Sequence, residues 1–111
     1  MTEGFWILQY EAIQGNGGGV ITFIKGQVFG GDSGFVYTGT YTSEDTAVAA
    51  RVLVRNFLPT YNSDLGVKGD VELEVRATHL TSTEIRGSAV MVGYELPGVA
   101  VKLTKVSDLP T

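Results

Sequence analysis

Apolar and polar residues alternate with a period of two along most of this chain. The clearest stretch is residues 70–77, where Val, Leu, Val and Ala alternate with Asp, Glu, Glu and Arg. Successive side chains of a strand point to opposite faces, so the pattern predicts a β-strand with one buried and one solvated face. Similar patterns, separated by residues typical of turns, recur in residues 5–12, 20–25, 27–29, 35–42, 85–92 and 99–106.

Seven or eight short strands at this spacing predict an all-β fold. Close spacing of strands is typical of a barrel or sandwich and not of alternating βα units. We expect a small up-and-down antiparallel barrel, because closure removes the strand edges that a Gly-rich and Val-rich chain would otherwise expose. Turns and loops are predicted at Gly26 and at residues 16–19, 30–34, 59–69 and 97–98.

Residues 44–54 are compatible with two structures. Ser43, followed by Glu44, Asp45 and an alanine-rich run, fits the start of a helix with Ser43 as its N-cap. Three valines in the same segment are β-branched and favour a strand. We expect a strand and keep the helix as the alternative.

Composition and charge restrict the classes of function. The chain has 111 residues, a size that fits one domain over its whole length. Its net charge of -4 gives no electrostatic reason to bind nucleic acid or an anionic membrane surface. It contains no cysteine, and no apolar run approaches the roughly 20 residues that cross a bilayer. We therefore expect a cytoplasmic protein that contacts neither DNA nor membrane.

The titratable residues predict neither catalysis nor a cofactor or metal site. His79 is the one histidine in the sequence, and we expect it at the surface or at a strand end, without further metal ligands. Glu72 and Glu74 lie two residues apart on one strand face, but that face is the solvated one. An acid–base catalyst needs a desolvated carboxyl group, so we expect a non-enzymatic binding protein.

Aromatic residues share the inward side of the predicted strands with aliphatic ones, and two interpretations stay open. These side chains fill the interior as a core, since an eight-stranded barrel is just wide enough to be filled by side chains. Alternatively, they line a lumen that carries a small apolar ligand or lipid, with space provided by Gly87 and Ala89 on a facing strand. The candidate lumen residues are Trp6, Leu8, Tyr10, Phe23, Phe35, Tyr37, Tyr41, Leu73, Val75 and Met91.

The first strand begins with a motif of lipocalin-type barrels. Gly4-Phe5-Trp6 resembles their first signature, in which the Trp closes the base of the barrel. The resemblance implies a cation from the last strand above the indole ring, and Lys102 or Lys105 would supply it.

A longer resemblance covers the first half of the chain. Residues 24–32, 35–41 and 43–45 are similar to the GrlR family, the negative regulators of type III secretion. The similarity is closest over residues 4–54, and in the second half the strand pattern agrees.

The GrlR resemblance implies both a fold and a function. It implies a compact, lipocalin-like barrel that tends to form homodimers and that inhibits transcription by sequestering an activator protein. In the family this inhibition depends on an exposed acidic run after the Tyr-x-Gly strand. This sequence has Glu44 and Asp45 there, followed by Thr46 and Ala47, so its acidic run is short. We expect Glu44 and Asp45 to bind the protein partner.

Overall fold

The structure is a closed antiparallel barrel of eight strands in which each strand pairs with its neighbours in the chain. It is a computed structural model that describes residues 2–12, 15–58, 70–93 and 98–110. These residues contain no helix, which confirms the predicted all-β class. The strands are β1 (Gly4–Ala12), β2 (Gly15–Ile24), β3 (Gln27–Gly31), β4 (Phe35–Glu44), β5 (Ala47–Asn56), β6 (Val71–Thr81), β7 (Glu84–Met91) and β8 (Val99–Ser107).

Pairing between the first and last strands closes the barrel. β1 pairs with β2 along one side and with β8 along the other, from Glu11 opposite Ala100 to Phe5 opposite Ser107. The register shifts between Phe5 and Trp6, and such a bulge bends a strand and increases its twist. All eight described strands therefore have a hydrogen-bonded neighbour on each side.

The period-two pattern places one side of every strand in the interior. In β5, Val48, Ala50, Val52 and Val54 are buried, and the residues between them are exposed or half-buried. Fully burying a side chain the size of valine or leucine stabilises the fold by roughly 1.5–3 kcal/mol. The largest fully buried side chains are Trp6, Ile85 and Val28.

The segment that allowed two interpretations is a strand. Residues 47–56 pair along their length with β4 and also with β6, and the chain reverses at Asp45 and Thr46. Valine side chains on alternate positions reach the interior only if the segment is extended. The predicted hairpin at Gly26 is also confirmed: Lys25 and Gly26 both have positive φ, at 49° and 78°, as a type I′ turn requires.

The turn predicted at residues 16–19 is wrong, because these residues belong to β2. Gly17, Gly18 and Gly19 pair with Tyr10, Gln9 and Leu8 of β1. The backbones approach so closely that a Cβ on Gly18 would lie 2.8 Å from the Leu8 carbonyl oxygen. Glycine therefore permits close strand packing here, where the sequence suggested a flexible connection.

Two other predicted connections fall largely outside the described residues. The predicted loop at 59–69 lies entirely outside them. Of the predicted turn at 97–98, Pro97 lies outside them as well. The described residues include no helix long and apolar enough to cross a bilayer.

Gly39 provides a test of the barrel register. It lies on β4 opposite Val52, and an added Cβ would overlap the Arg51 carbonyl oxygen and lie 2.9 Å from Cα of Val52. Because backbone and not a flexible side chain stands in the way, we expect Gly39→Ala to lower the free energy of unfolding by about 2–3 kcal/mol. Chemical denaturation measures this change.

The matched control is Gly98→Ala, whose added Cβ would meet its nearest neighbours at an ordinary 3.5 Å. Equal stability of the two variants would contradict the register between β4 and β5.

Candidate functional site

The turn between β4 and β5 carries the two acidic residues predicted to bind a partner. Glu44 and Asp45 are both exposed. Among the described residues, neither carboxylate takes part in a hydrogen bond or an ion pair. Asp45 has a positive φ of 54°, in the left-handed region where Asp and Asn are the commonest residues after glycine. The turn thus presents two uncompensated negative charges in a defined backbone conformation.

A partly buried hydrogen-bond cluster lies beside this turn. Thr2 Oγ1 is 2.7 Å from Ser43 Oγ and 2.9 Å from His79 Nε2. The His79 backbone N–H donates to the Thr46 carbonyl oxygen at 2.7 Å. The Thr2–Ser43–His79 cluster therefore joins the N-terminal segment and the end of β6 to both flanks of the acidic turn.

Of the two positions expected for His79, the surface and a strand end, the structure shows the second. The residue is near the end of β6 as predicted, but only 5% of it is exposed. It shares the inward side of β6 with Leu73, Val75 and Ala77. The period-two pattern of the strand therefore indicates that His79 points inward. Its polar ring is tolerated inside because both ring nitrogens have partners, with Nδ1 3.1 Å from the Thr81 carbonyl oxygen.

Trp6 closes the barrel at the same end. The residue is fully buried, and its indole N–H donates to the Thr2 carbonyl oxygen at 2.9 Å. Its ring packs edge-on against Phe23 and His79, with centroid distances of 6.2 and 5.9 Å. Lys105 Nζ lies 5.9 Å from the indole centroid, so Lys105 is the cation expected from the lipocalin-type motif. A cation–π contact of this kind contributes about 0.5–1 kcal/mol.

Above Trp6 the interior contains an apolar cavity of about 100 Å³. All eight strands contribute to its wall, which is almost entirely aliphatic and aromatic. Seven of the ten predicted lumen residues line it: Leu8, Tyr10, Phe23, Phe35, Tyr37, Leu73 and Val75.

The other three predicted lumen residues lie in or beside the core without lining the cavity. Trp6 lies beneath it, and Met91 is buried in the hydrophobic core. Tyr41 packs edge-on against Phe23 at 4.8 Å between ring centroids. Burial raises the pKa of the Tyr41 hydroxyl above its ordinary value, and the Glu3 carboxylate adds to the effect.

Asp32 is the one charged residue in the described cavity wall, and the sequence placed it only in a turn. Its Oδ1 accepts the backbone N–H groups of Gly34 and Phe35, both at 2.9 Å. Its Oδ2 accepts the hydroxyl of Tyr37. The carboxylate therefore holds the β3–β4 turn and gives the cavity a polar end.

The outer surface of the barrel divides into a charged part and an uncharged part. Glu72 and Glu74 lie on the outer side of β6, as predicted, where Arg51 pairs with both at 2.8 and 3.1 Å. The hydrogen bond to Glu72 raises the pKa of Arg51. Exposed ion pairs of this type contribute only about 0–1 kcal/mol each, so they define a solvated surface.

The uncharged part lies across β1–β4. Ile7 is opposite Val20, and Phe29 is opposite both Thr22 and Thr38. Ile7 and Phe29 are 44% and 46% exposed, high values for large apolar side chains. We call this the uncharged face and define it by Ile7, Val20, Thr22, Phe29, Val36 and Thr38.

The geometry supports binding and offers little to catalysis. Thr2 and His79 are within hydrogen-bond distance, as a nucleophile and its base would be. However, Thr2 is only 3% exposed and therefore offers almost no surface to a substrate. Among the described residues, no group of three or more acidic or histidine side chains could hold a metal ion.

The sequence of the chain matches a known protein family. A profile of the family described as "T3SS negative regulator, GrlR" matches residues 1–108. The chain belongs to the GrlR family. The match extends past residue 54 through the second half of the barrel, where the sequence alone showed agreement only in the strand pattern. The comparison with curated proteins gives no match.

Membership of the GrlR family bears on which features of the barrel are candidates for binding. The family is described as one of negative regulators of type III secretion. The described residues offer three such features: the acidic turn, the uncharged face and the cavity.

Proposed function

We propose that this GrlR-family protein acts by sequestering a transcriptional activator through the turn that carries Glu44 and Asp45. The single observation that supports the proposal is that these two carboxylates are exposed and unpaired among the described residues. They are exposed, and among the described residues they have no partner, whereas Glu72, Glu74 and Glu84 on the barrel flank are paired with arginines. A protein partner could supply the missing positive charges.

Electrostatics specify the kind of surface that would fit. Two carboxylates on adjacent residues attract a cluster of Lys or Arg, and the protein's net charge of -4 adds long-range attraction. Many activators use basic surfaces to bind DNA phosphates. An acidic turn that occupies such a surface would block DNA binding without itself touching DNA.

Neutralising the two carboxylates tests this function. We expect Glu44→Gln with Asp45→Asn to reduce capture of the activator from a native cell extract at least tenfold, because each lost charge pair weakens a specific contact. Asn tolerates the positive φ of residue 45, so the thermal midpoint should stay within about 1–2 °C. Quantitative pull-down with identification by mass spectrometry, together with thermal denaturation, measures both quantities.

The control is Glu72→Gln with Glu74→Gln, which changes the net charge by the same amount on the barrel flank. Unchanged capture by the turn variant, or equal loss in both variants, would count against the acidic turn as the binding site.

We further propose that the protein forms a homodimer through the uncharged face. The support is the run of exposed apolar and threonine side chains on β1–β4, set against the charges on β5–β7. Large exposed apolar patches mark interaction sites, and a two-fold dimer brings the same patch of both copies together. An uncharged patch meets its own copy without repulsion between like charges.

Phe29→Lys is the variant that tests the dimer. It places a charge near the centre of the uncharged face, and we expect it to shift a dimer to monomer in sedimentation velocity at micromolar concentration. Val90→Lys is the control, because Val90 is 44% exposed on β7, opposite Glu74 and away from the face. A wild-type protein that sediments as a monomer at tens of micromolar would refute this interface.

The cavity supports a second candidate function, binding of a small apolar molecule. Its volume of about 100 Å³ is well below the roughly 300–1,000 Å³ of typical ligand pockets. An engineered cavity of about 150 Å³ holds benzene or xenon. The interior as it stands therefore suits an apolar molecule of at most that size, and carriage of a lipid would require the core to move.

Xenon is a suitable probe for this interior. We expect xenon under pressure to shift the methyl resonances of Leu73 and Val75, since both side chains line the cavity. Ala50→Ile should abolish the shift by filling the space, whereas Ala49→Ile points outward on the same strand and should leave it intact. Absence of any xenon-induced shift in the wild type would rule out a ligand-accessible interior.

A further inference from the structure

The backbone on both sides of the acidic turn is tied to the Thr2–Ser43–His79 cluster. Ser43 precedes Glu44, and its hydroxyl is 2.7 Å from Thr2 Oγ1. Thr46 follows Asp45, and its carbonyl oxygen accepts the His79 backbone N–H at 2.7 Å. The two acidic residues lie between these attachment points, and pairing of Glu44 with Ala47 in the β4–β5 ladder also supports the turn.

Thr2 is the residue that connects the cluster to the interior of the barrel. Although it is the second residue of the chain, it is only 3% exposed. Its carbonyl oxygen accepts the indole N–H of Trp6, and its hydroxyl contacts both Ser43 and His79. These three contacts hold both the backbone and the side chain of Thr2 in place just before β1.

The direction of the hydrogen bonds makes the Thr2 hydroxyl the centre of the cluster. Nδ1 of His79 faces a carbonyl oxygen, which only accepts, so in the neutral ring Nδ1 carries the proton. Nε2 must then accept from Thr2, and the Thr2 oxygen in turn accepts from the Ser43 hydroxyl. Loss of this one hydroxyl breaks both bonds and leaves a buried Nε2 without its donor.

We propose that the N-terminal segment positions the acidic turn, with Thr2 as the positioning residue for Glu44 and Asp45. This inference rests on the proposed capture of an activator by the same turn. Asp45 has a positive φ, a conformation that few residues other than glycine, Asn and Asp adopt, so contacts on both sides of the turn favour it. Attachment through Thr2 and His79 supplies these contacts, and the order of residue 2 controls the affinity of residues 44 and 45.

The experiment compares Thr2→Val with Thr2→Ser in the full chain. Valine keeps the β-branched shape and removes the hydroxyl, whereas serine retains the hydroxyl. We expect Thr2→Val to lower the ¹⁵N order parameters of Asp45 and Thr46 from about 0.85 to below about 0.6. Exchange of the His79 amide should become at least tenfold faster, while exchange of the Val52 amide in the core stays unchanged. Thr2→Ser should restore wild-type values.

Two further variants complete the design. Thr40→Val is the matched control, because it removes an exposed threonine hydroxyl from the outer side of β4 at a position outside the uncharged face. Ser43→Ala breaks only the outer bond of the cluster and serves if Thr2→Val fails to fold. We expect it to show the same change in the turn at smaller amplitude.

The capture assay separates this inference from the proposed function. Capture of the activator should fall at least fivefold in Thr2→Val and recover in Thr2→Ser. Positioning by Thr2 is wrong if the turn of Thr2→Val stays rigid or if all its barrel amides exchange faster together. It is also wrong if capture falls only in the Glu44→Gln, Asp45→Asn variant. The acidic turn remains the proposed binding site in each of these cases. If capture is insensitive to the acidic pair itself, the proposed function fails. The affinity claim then fails with it, and the relaxation data alone decide whether Thr2 orders the turn.

Discussion

Closure of the sheet between β1 and β8 is the constraint on which the rest of the structure depends. Once the first and last strands pair, every described strand is hydrogen-bonded on both sides, and each has one side facing a shared interior. The interior must then be filled with apolar side chains, because a buried polar group without a partner is costly. Among the described residues, every buried side-chain nitrogen and oxygen does have a partner.

One end of the barrel combines closure of its base with the acidic turn. Trp6 fills the base, Lys105 lies over its ring, and the indole N–H holds the Thr2 carbonyl oxygen. Through the Thr2 hydroxyl, the same packing reaches the turn that carries Glu44 and Asp45. A buried tryptophan that stabilises the fold thus also supports the surface proposed to bind a partner.

Much of the fold follows from the local pattern of residues. The predictions that depart from the structure rely on the chemistry of single residue types. The alternation in residues 70–77 and the β-branched valines of β5 predict strands correctly, because both reflect burial on one side of an extended backbone. Glycine is flexible in isolation, so the glycines at 17–19 predict a turn, whereas in the barrel they allow β1 and β2 to approach. The chemistry of histidine predicts the surface or a strand end for His79, and the residue lies near the end of β6 but is buried, on the inward side of the alternation.

The sequence by itself predicts the strands and the side chains that face inward, through the alternating pattern and the Gly4-Phe5-Trp6 motif. It also predicts membership of the GrlR family, through the family resemblance. Each of these is a local property of neighbouring residues. The candidate site was only partly accessible in this way. Glu44 and Asp45 are visible in the sequence, but their lack of partners among the described residues is a matter of which side chains the barrel brings near them. Ser43 and His79 lie 41 and 77 positions from Thr2 along the chain, and the three residues meet because closure of the barrel places Thr2 beside the β4–β5 turn and the end of β6. Hydrogen bonds act over about 3 Å in space, so no local pattern in the sequence can report them.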